Sequence, residues 1–204
     1  GNLIVEPKEG ELRIANPSQL VQKINGIPGV VASTPRYSTG ATVVYRGKST
    51  SPLVTAIEPA REQEVMRIST RIQSGDYLRT SDSGEALVGT TLAGSNDPEG
   101  DSTPTLGGVV VGKTIAITFP NGVTRQFRVK GILKAGTSSV DNAVFINRHD
   151  VAQVLGEADP ANSILVRTER TGDHDAMRLV LMQFGVQEKV WTWEDKSAEF
   201  LASI

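Results

Sequence analysis

Hydrophobic periodicity changes twice along this chain, and those two changes restrict its fold more tightly than any composition figure. Up to residue 74, and again from residue 141, apolar residues recur at helical spacing between short apolar strands. From residue 75 to residue 140 the helical period disappears, and Gly, Ser, Thr and Pro accumulate between short alternating segments. Two textures in that order predict an α+β protein with two lobes. Residues 1–74 and 141–204 together form a discontinuous α+β lobe, and residues 75–140 form a β-rich lobe inserted into it.

Within the first segment, Leu3–Glu6 reads as a strand. Asn16 stands as an N-cap before Pro17, and Gln19 is placed to complete a capping box. Leu20, Val21 and Ile24 then form a buried helix face, which Gly26 ends in a left-handed conformation. Strands are expected over residues 29–35, 41–46 and 52–57. Pro59 opens a helix, with Glu62 and Glu64 in its first turn, where the helix dipole favours negative charge. Val65, Ile68 and Ile72 share one face of that helix, Arg61, Arg67 and Arg71 point elsewhere, and Gly75 stops it.

In the middle segment, Ile115, Ile117 and Phe119 alternate onto one strand face. Asn121-Gly122 is a hairpin turn, and Phe127, Val129 and Gly131 return on the partner strand. Residues 94–108 are the most loop-like part, expected to be a mobile tip. Afterwards Asn147 caps a short helix that ends at Gly156, and residues 163–167 form a strand. Met177, Val180, Leu181 and Phe184 give the strongest amphipathic helix, and residues 188–193 the last strand.

The candidate chemistry is thin. Gly107–Thr114 fits G-x-x-x-x-G-K-[ST], but a phosphate-binding loop follows a buried strand and opens a helix, and here a polar loop precedes and an alternating strand follows. His149 and His174 are the only histidines and neither has a ligand-spaced partner. Asp97, Glu99 and Asp101 alternate but lack the turn glycine and closing glutamate of a calcium loop, so a solvated acidic tip is expected. Arg61, Arg67 and Arg71 read as a solvated face, with a groove for an anionic partner as the sharper alternative. Trp191 and Trp193 share a strand face, either as packing or as rings placed near a membrane interface. With no cysteine, disulfides and thiolate chemistry are excluded, and a net charge of −2 argues against a nucleic-acid binder. No catalytic, cofactor-binding or metal-binding residue is assigned, and no cofactor is expected.

One ordered set of short motifs carries more. It runs through Ile57-Glu58-Pro59, Glu62, Gly75-Asp76-x-Leu78, Ala86–Gly89 with Leu92-Ala93, and Val111-Gly112-Lys113. It continues through Phe127–Leu133, Asp141 before Val144-Phe145-Ile146, Ile164–Arg167 and Val190–Trp193. The set resembles the extracytoplasmic domain of MacB/FtsX-like ABC-transporter permeases across nearly the whole chain. The resemblance implies a porter-like α+β lobe near the membrane and the β-rich lobe beyond it. It also implies transmembrane helices outside both ends, a cytoplasmic ATP-binding subunit or domain, a permease dimer and an extracytoplasmic adaptor as partners. Such a domain is a non-catalytic part of a cell-membrane protein, coupling cytoplasmic ATP hydrolysis to movement of a substrate or partner outside. Residues 1–6 and 194–204 are then expected side by side at one end, with the β-rich lobe projecting from the other. The alternative is a secreted or surface-tethered module that binds a polymer or protein through residues 94–108.

Overall fold

The computed structural model describes residues 2–95, 104–169, 177–178, 181–182 and 188–192. The chain is α+β and divides into two compact units, Gly1–Tyr37 with Asp159–Ile204, and Ser38–Ala158. Residues 38–74 and 141–158, expected with the chain ends, therefore fall in the inserted unit.

The unit built from the chain ends starts with β1 (Asn2–Glu6), α1 (Pro17–Asn25) and β2 (Val30–Gly40), whose last three residues belong to the inserted unit. It resumes with β11 (Ser163–Thr168) and β12 (Lys189–Thr192), and residues 177–178 and 181–182 between them are helical. β1 pairs antiparallel with both β12 and β11, and β11 with β2, so the strand order is β12-β1-β11-β2. This is a split β-α-β arrangement, in which a strand of the second half lies between the two strands of the first. Leu3 and Val5 of β1 and Ile164 and Val166 of β11 pack with Val21 and Ile24 of α1 and with Leu181. The period-two strands and the period-3.6 helices thus bury matching faces. A second row, Trp191, Ile4, Leu165 and Thr34, runs across all four strands on the opposite face.

Two local expectations for this unit fail. Asn16 takes the left-handed conformation (φ 48°) and its side chain makes no cap, because the backbone turns sharply there and Pro17 already removes one orphan donor. Gly26 is right-handed (φ −81°), its amide closing onto the carbonyls of Gln22 and Lys23.

The inserted unit carries a sheet in the order β5-β10-β7-β9-β8-β3-β4. Its strands are β3 (Thr42–Tyr45), β4 (Lys48–Thr50), β5 (Leu53–Ile57), β6 (Ile72–Gly75), β7 (Glu85–Gly89), β8 (Thr114–Thr118), β9 (Thr124–Leu133) and β10 (Val144–Asn147). Helices α2 (Pro59–Val65), α3 (Thr90–Ala93), α4 (Ser138–Asp141) and α5 (Arg148–Leu155) connect them. The segment read as β-rich also contains two single-turn helices, α3 and α4. The Asn121-Gly122 turn forms as expected, with Gly122 at φ 87° and the Asn121 carboxamide accepting from the Val123 amide. Ile115, Ile117, Phe119, Phe127 and Val129 are all buried, so the period-two reading of both strands holds.

The helix expected to run to Gly75 does not. α2 ends at Val65, Arg67 reverses the backbone at φ 52°, Ile68–Arg71 is a 3-10 turn, and Ile72–Gly75 is strand β6 paired with β9. Ile68 and Ile72 still reach the core with Ile57, Leu87, Leu133 and Phe145, but from two different elements. Glu62 stands in the first turn of α2, as expected, and is fully buried there. Arg61 pairs with Glu58 at 3.1 Å, and Glu58 also meets Arg148 at 2.6 Å.

A polar network pins residues 79–84 to three elements. Between the pairs Ala86–Val129 and Leu87–Gly131 strand β9 carries one extra residue, Lys130, and such a bulge re-aims a side chain. The Lys130 ammonium pairs with Asp82, whose carboxylate also accepts the Arg79 amide at 2.8 Å. Asn147, at the N-cap position of α5, donates instead to the carbonyls of Arg79 and Asp82 at 3.0 and 2.8 Å. Asp150, fully buried, accepts the Ser83 hydroxyl and the Gly84 amide, each at 2.9 Å, and meets Arg125 at 2.9 Å.

This network has an acid signature. Burial raises the Asp82 carboxyl, but the hydrogen bonds from Lys130 and the Arg79 amide, with both cationic charges, outweigh it and hold the group below 3.8. A carboxyl depressed on folding stabilises the fold above its unfolded value and loses that contribution as pH falls through the folded one. In a series of denaturant melts, the acid limb below about pH 4 is expected to flatten in Asp82→Asn. An unchanged limb would remove Asp82 from the acid response.

Candidate binding cleft

The turn between β3 and β4 carries two successive positive-φ residues, the first of them not glycine. Tyr45 pairs with Lys48, leaving Arg46 (φ 47°) and Gly47 (φ 77°) as a two-residue loop. Both central residues left-handed is the hairpin turn whose twist matches that of the strands, and Asn-Gly is its usual sequence. An arginine at the first position costs about 1 kcal/mol, because its Cβ crowds the backbone there. The Arg46 guanidinium carbon lies 5.3 Å from the centre of the Tyr45 ring, within cation–π range. Arg46→Asn is therefore expected to raise stability by up to about 0.5 kcal/mol, the left-handed penalty recovered less the ring contact. A denaturant melt reads this, and a loss of stability would show that the ring contact outweighs the turn.

Opposite this turn, residues 106–113 form the second wall of a cleft of about 390 Å³. The wall is fastened to the end of α3: the Leu106 amide donates to the Leu92 carbonyl, and the amides of Gly108 and Val109 to that of Ala93. Gly107 (φ 71°) lets the Lys48 stem lie against the backbone, since a Cβ there would sit 2.8 Å from Lys48 Cδ. Leu106 is buried beneath the cleft, while Val110 is 54% exposed at its rim. Arg46, Lys48 and Lys113 all line it, and none of the three has a carboxylate partner among the described residues. Cationic side chains around a part-apolar concavity of this size suit a small anion or anionic amphiphile.

The phosphate-loop pattern lies in this wall without its geometry. Strand β8, not a helix, begins at Thr114. The amides of Gly107, Gly108, Gly112 and Lys113 are spent on Thr105 Oγ1 and on the carbonyls of Ala93, Val129 and Val110. No nest of free amides is left along those positions to cradle phosphate.

The other candidates disperse. His149 is solvent-accessible, its Nδ1 3.4 Å from the Asp150 carboxylate, and no metal-ligating group of three forms among the described residues. Arg67 serves the chain reversal after α2, and Arg71 sits in the following 3-10 turn. Trp191 lies half-buried on β12 beside Ile4. His174, Asp97, Glu99, Asp101 and Trp193 lie outside the described residues, as does most of the expected 94–108 tip. The sequence reading missed Arg46 and Lys48. Its available signal was Arg46-Gly47 between two β-compatible runs, a two-residue hairpin loop with an unusual first residue.

The sequence model of the MacB-like periplasmic core domain matches residues 1–179. The fold is similar to the extracellular domain of the noncanonic ABC-type transporter YknZ from Gram-positive bacteria, with TM-score 0.63 and 16% identity over 93% of this chain and 96% of that one. It is also similar to the periplasmic region of MacB from Actinobacillus actinomycetemcomitans, with TM-score 0.64 and 12% identity over 100% and 92%. A domain of a putative permease protein from Porphyromonas gingivalis gives TM-score 0.53 and 15% identity over 92% and 79%. No match was found among curated proteins.

Proposed function

Because the chain belongs to the family of MacB-like periplasmic core domains, we propose that it is the extracytoplasmic, non-catalytic part of an ABC-transporter permease subunit. Its work is mechanical. Closure of a cytoplasmic ATP-binding subunit moves transmembrane helices, and this domain carries that motion outward to a substrate or to an extracytoplasmic adaptor. A close-packed interior transmits such displacement with little loss.

One observation carries this reading. β1 and β12 are antiparallel neighbours, with Leu3 opposite Thr192 and Glu6 opposite Lys189. The described start and end of the chain therefore leave the sheet side by side at the same edge. In the same sheet Asn2 is level with Arg167, whereas Ser163 is level with Arg36. The chain thus leaves this unit and returns to it about 13 Å farther along, at roughly 3.3 Å per residue. Two adjacent stalks at one end and two crossings at the other are what a lever inserted between membrane helices requires. The unit holding the stalks is the porter-like lobe, and the inserted unit carries the working surface. In the permease dimer that the resemblance implies, two such levers would move together.

The gene sequence tests the placement. Apolar runs of about twenty residues encoded on both sides of this chain are expected. Polar linkers on both sides would overturn the permease reading in favour of a surface-tethered binding module.

A further inference from the structure

We propose that the cleft between the β3–β4 turn and residues 106–113 is a binding site for an organic phosphate, a phosphate group carried on a small apolar body. This goes beyond the lever reading and does not depend on it. Arg46, Lys48 and Lys113 bring three cationic groups to one concavity without a carboxylate partner among the described residues. A single carboxylate would leave two of those three charges uncompensated, whereas a phosphate dianion leaves one and offers three acceptor oxygens.

The amides of Gly107, Gly108, Gly112 and Lys113 take no part, since they are already donated. Recognition rests on side-chain charge, and affinity must fall with salt. The apolar half of the ligand has its counterpart in exposed Val110 and in Tyr45, which line the same cleft above buried Leu106. Arg46 is held at φ 47° where asparagine or glycine would sit more easily, and strain of this kind gathers at ligand sites. The volume, about 390 Å³, is in the range of small-molecule pockets.

The test titrates the whole chain with hexyl phosphate, inorganic phosphate and hexyltrimethylammonium, following backbone amide shifts, and repeats hexyl phosphate at high salt. Hexyl phosphate is expected to shift amides of residues 45–48 and 106–113, to bind more tightly than inorganic phosphate and to weaken with salt. Arg46→Asn keeps the turn, and Lys48→Gln and Lys113→Gln are surface changes. Each should weaken binding on the order of fivefold, the scale of one exposed charge contact. Sedimentation with phosphatidylglycerol vesicles separates the two sources of such a group. Capture by vesicles together with binding of soluble hexyl phosphate supports the site with a lipid headgroup as its ligand. Binding of the soluble phosphate alone supports it with a free ligand. Vesicle capture without soluble binding, equal response to hexyltrimethylammonium, or unaltered affinity in all three variants would overturn the proposal.

Discussion

Gly75→Ala should be among the most damaging single changes in this protein, costing about 4 kcal/mol or more and leaving the inserted unit poorly folded. Two penalties combine. Gly75 sits at φ 74°, where an alanine Cβ costs about 1–2 kcal/mol. A Cβ there would also stand 2.1 Å from the Lys130 carbonyl oxygen and 2.8 Å from a Val111 methyl. The first neighbour is backbone, so relief requires β6 to move away from β9. Gly75 pairs with Gly131, where a Cβ would meet the Asp76 carbonyl at 2.5 Å, so both strands are bare at the point of closest approach. Gly112→Ala is the control. Its φ is 94° but nothing lies within 4 Å of the added carbon, so only the conformational penalty of about 1–2 kcal/mol applies. Denaturant melts of the two variants read the difference directly, and equal losses would show that β6 can yield without cost.

Ile68→Asp has the second large expected effect. Ile68 is 3% exposed, in the cluster with Ile57, Leu78, Leu87, Leu133 and Phe145. Losing its burial removes about 1.5–3 kcal/mol, and an unpaired carboxylate in that setting adds several more or forces the unit open. Arg67→Asp, one residue earlier, should change little, because Arg67 is exposed and aspartate tolerates the left-handed conformation found there. Hydrogen exchange locates the damage. Amides of β7 and β9 should lose protection in Ile68→Asp, while those of β1 and β11 keep theirs. Loss of protection confined to β1 and β11 would place Ile68 in the wrong unit.

That pair of residues also shows what the sequence made legible. The i, i+3, i+7 spacing of Val65, Ile68 and Ile72 correctly marked them as core. It could not reveal that a helix, a 3-10 turn and a strand deliver them in succession, because periodicity records burial and not the hydrogen-bond ladder. The strands with strict alternation, β8 and β9, were legible for the opposite reason, since their turn carried its own chemistry in Asn121-Gly122. Two elements of the family pattern gain a physical cause. Gly89 lies where a Cβ would be 2.3 Å from the Asp141 carbonyl, and the Asp141 carboxylate accepts the amides of Ala135 and Gly136 at 2.7 and 3.0 Å. Gly89 and Asp141 are thus two sides of one close packing, fifty residues apart in the chain and invisible to any local pattern. The cleft was hidden in the same way. Arg46, Lys48 and Lys113 are ordinary surface cations in sequence, and only the antiparallel β3–β8 pairing brings their strands together.

The mechanical reading is met most directly by one distance. The chain has no cysteine, so Val123→Cys, on the exposed hairpin turn, gives a single spin-label site in this domain. In the intact permease with its ATP-binding partner, the label-to-label distance across the dimer would be measured without nucleotide and with ATP trapped. A shift of several ångström between the two states is the predicted result, with no response to ATP from the chain on its own. An identical distance distribution in both states, or ATP hydrolysis by the isolated chain, would contradict it.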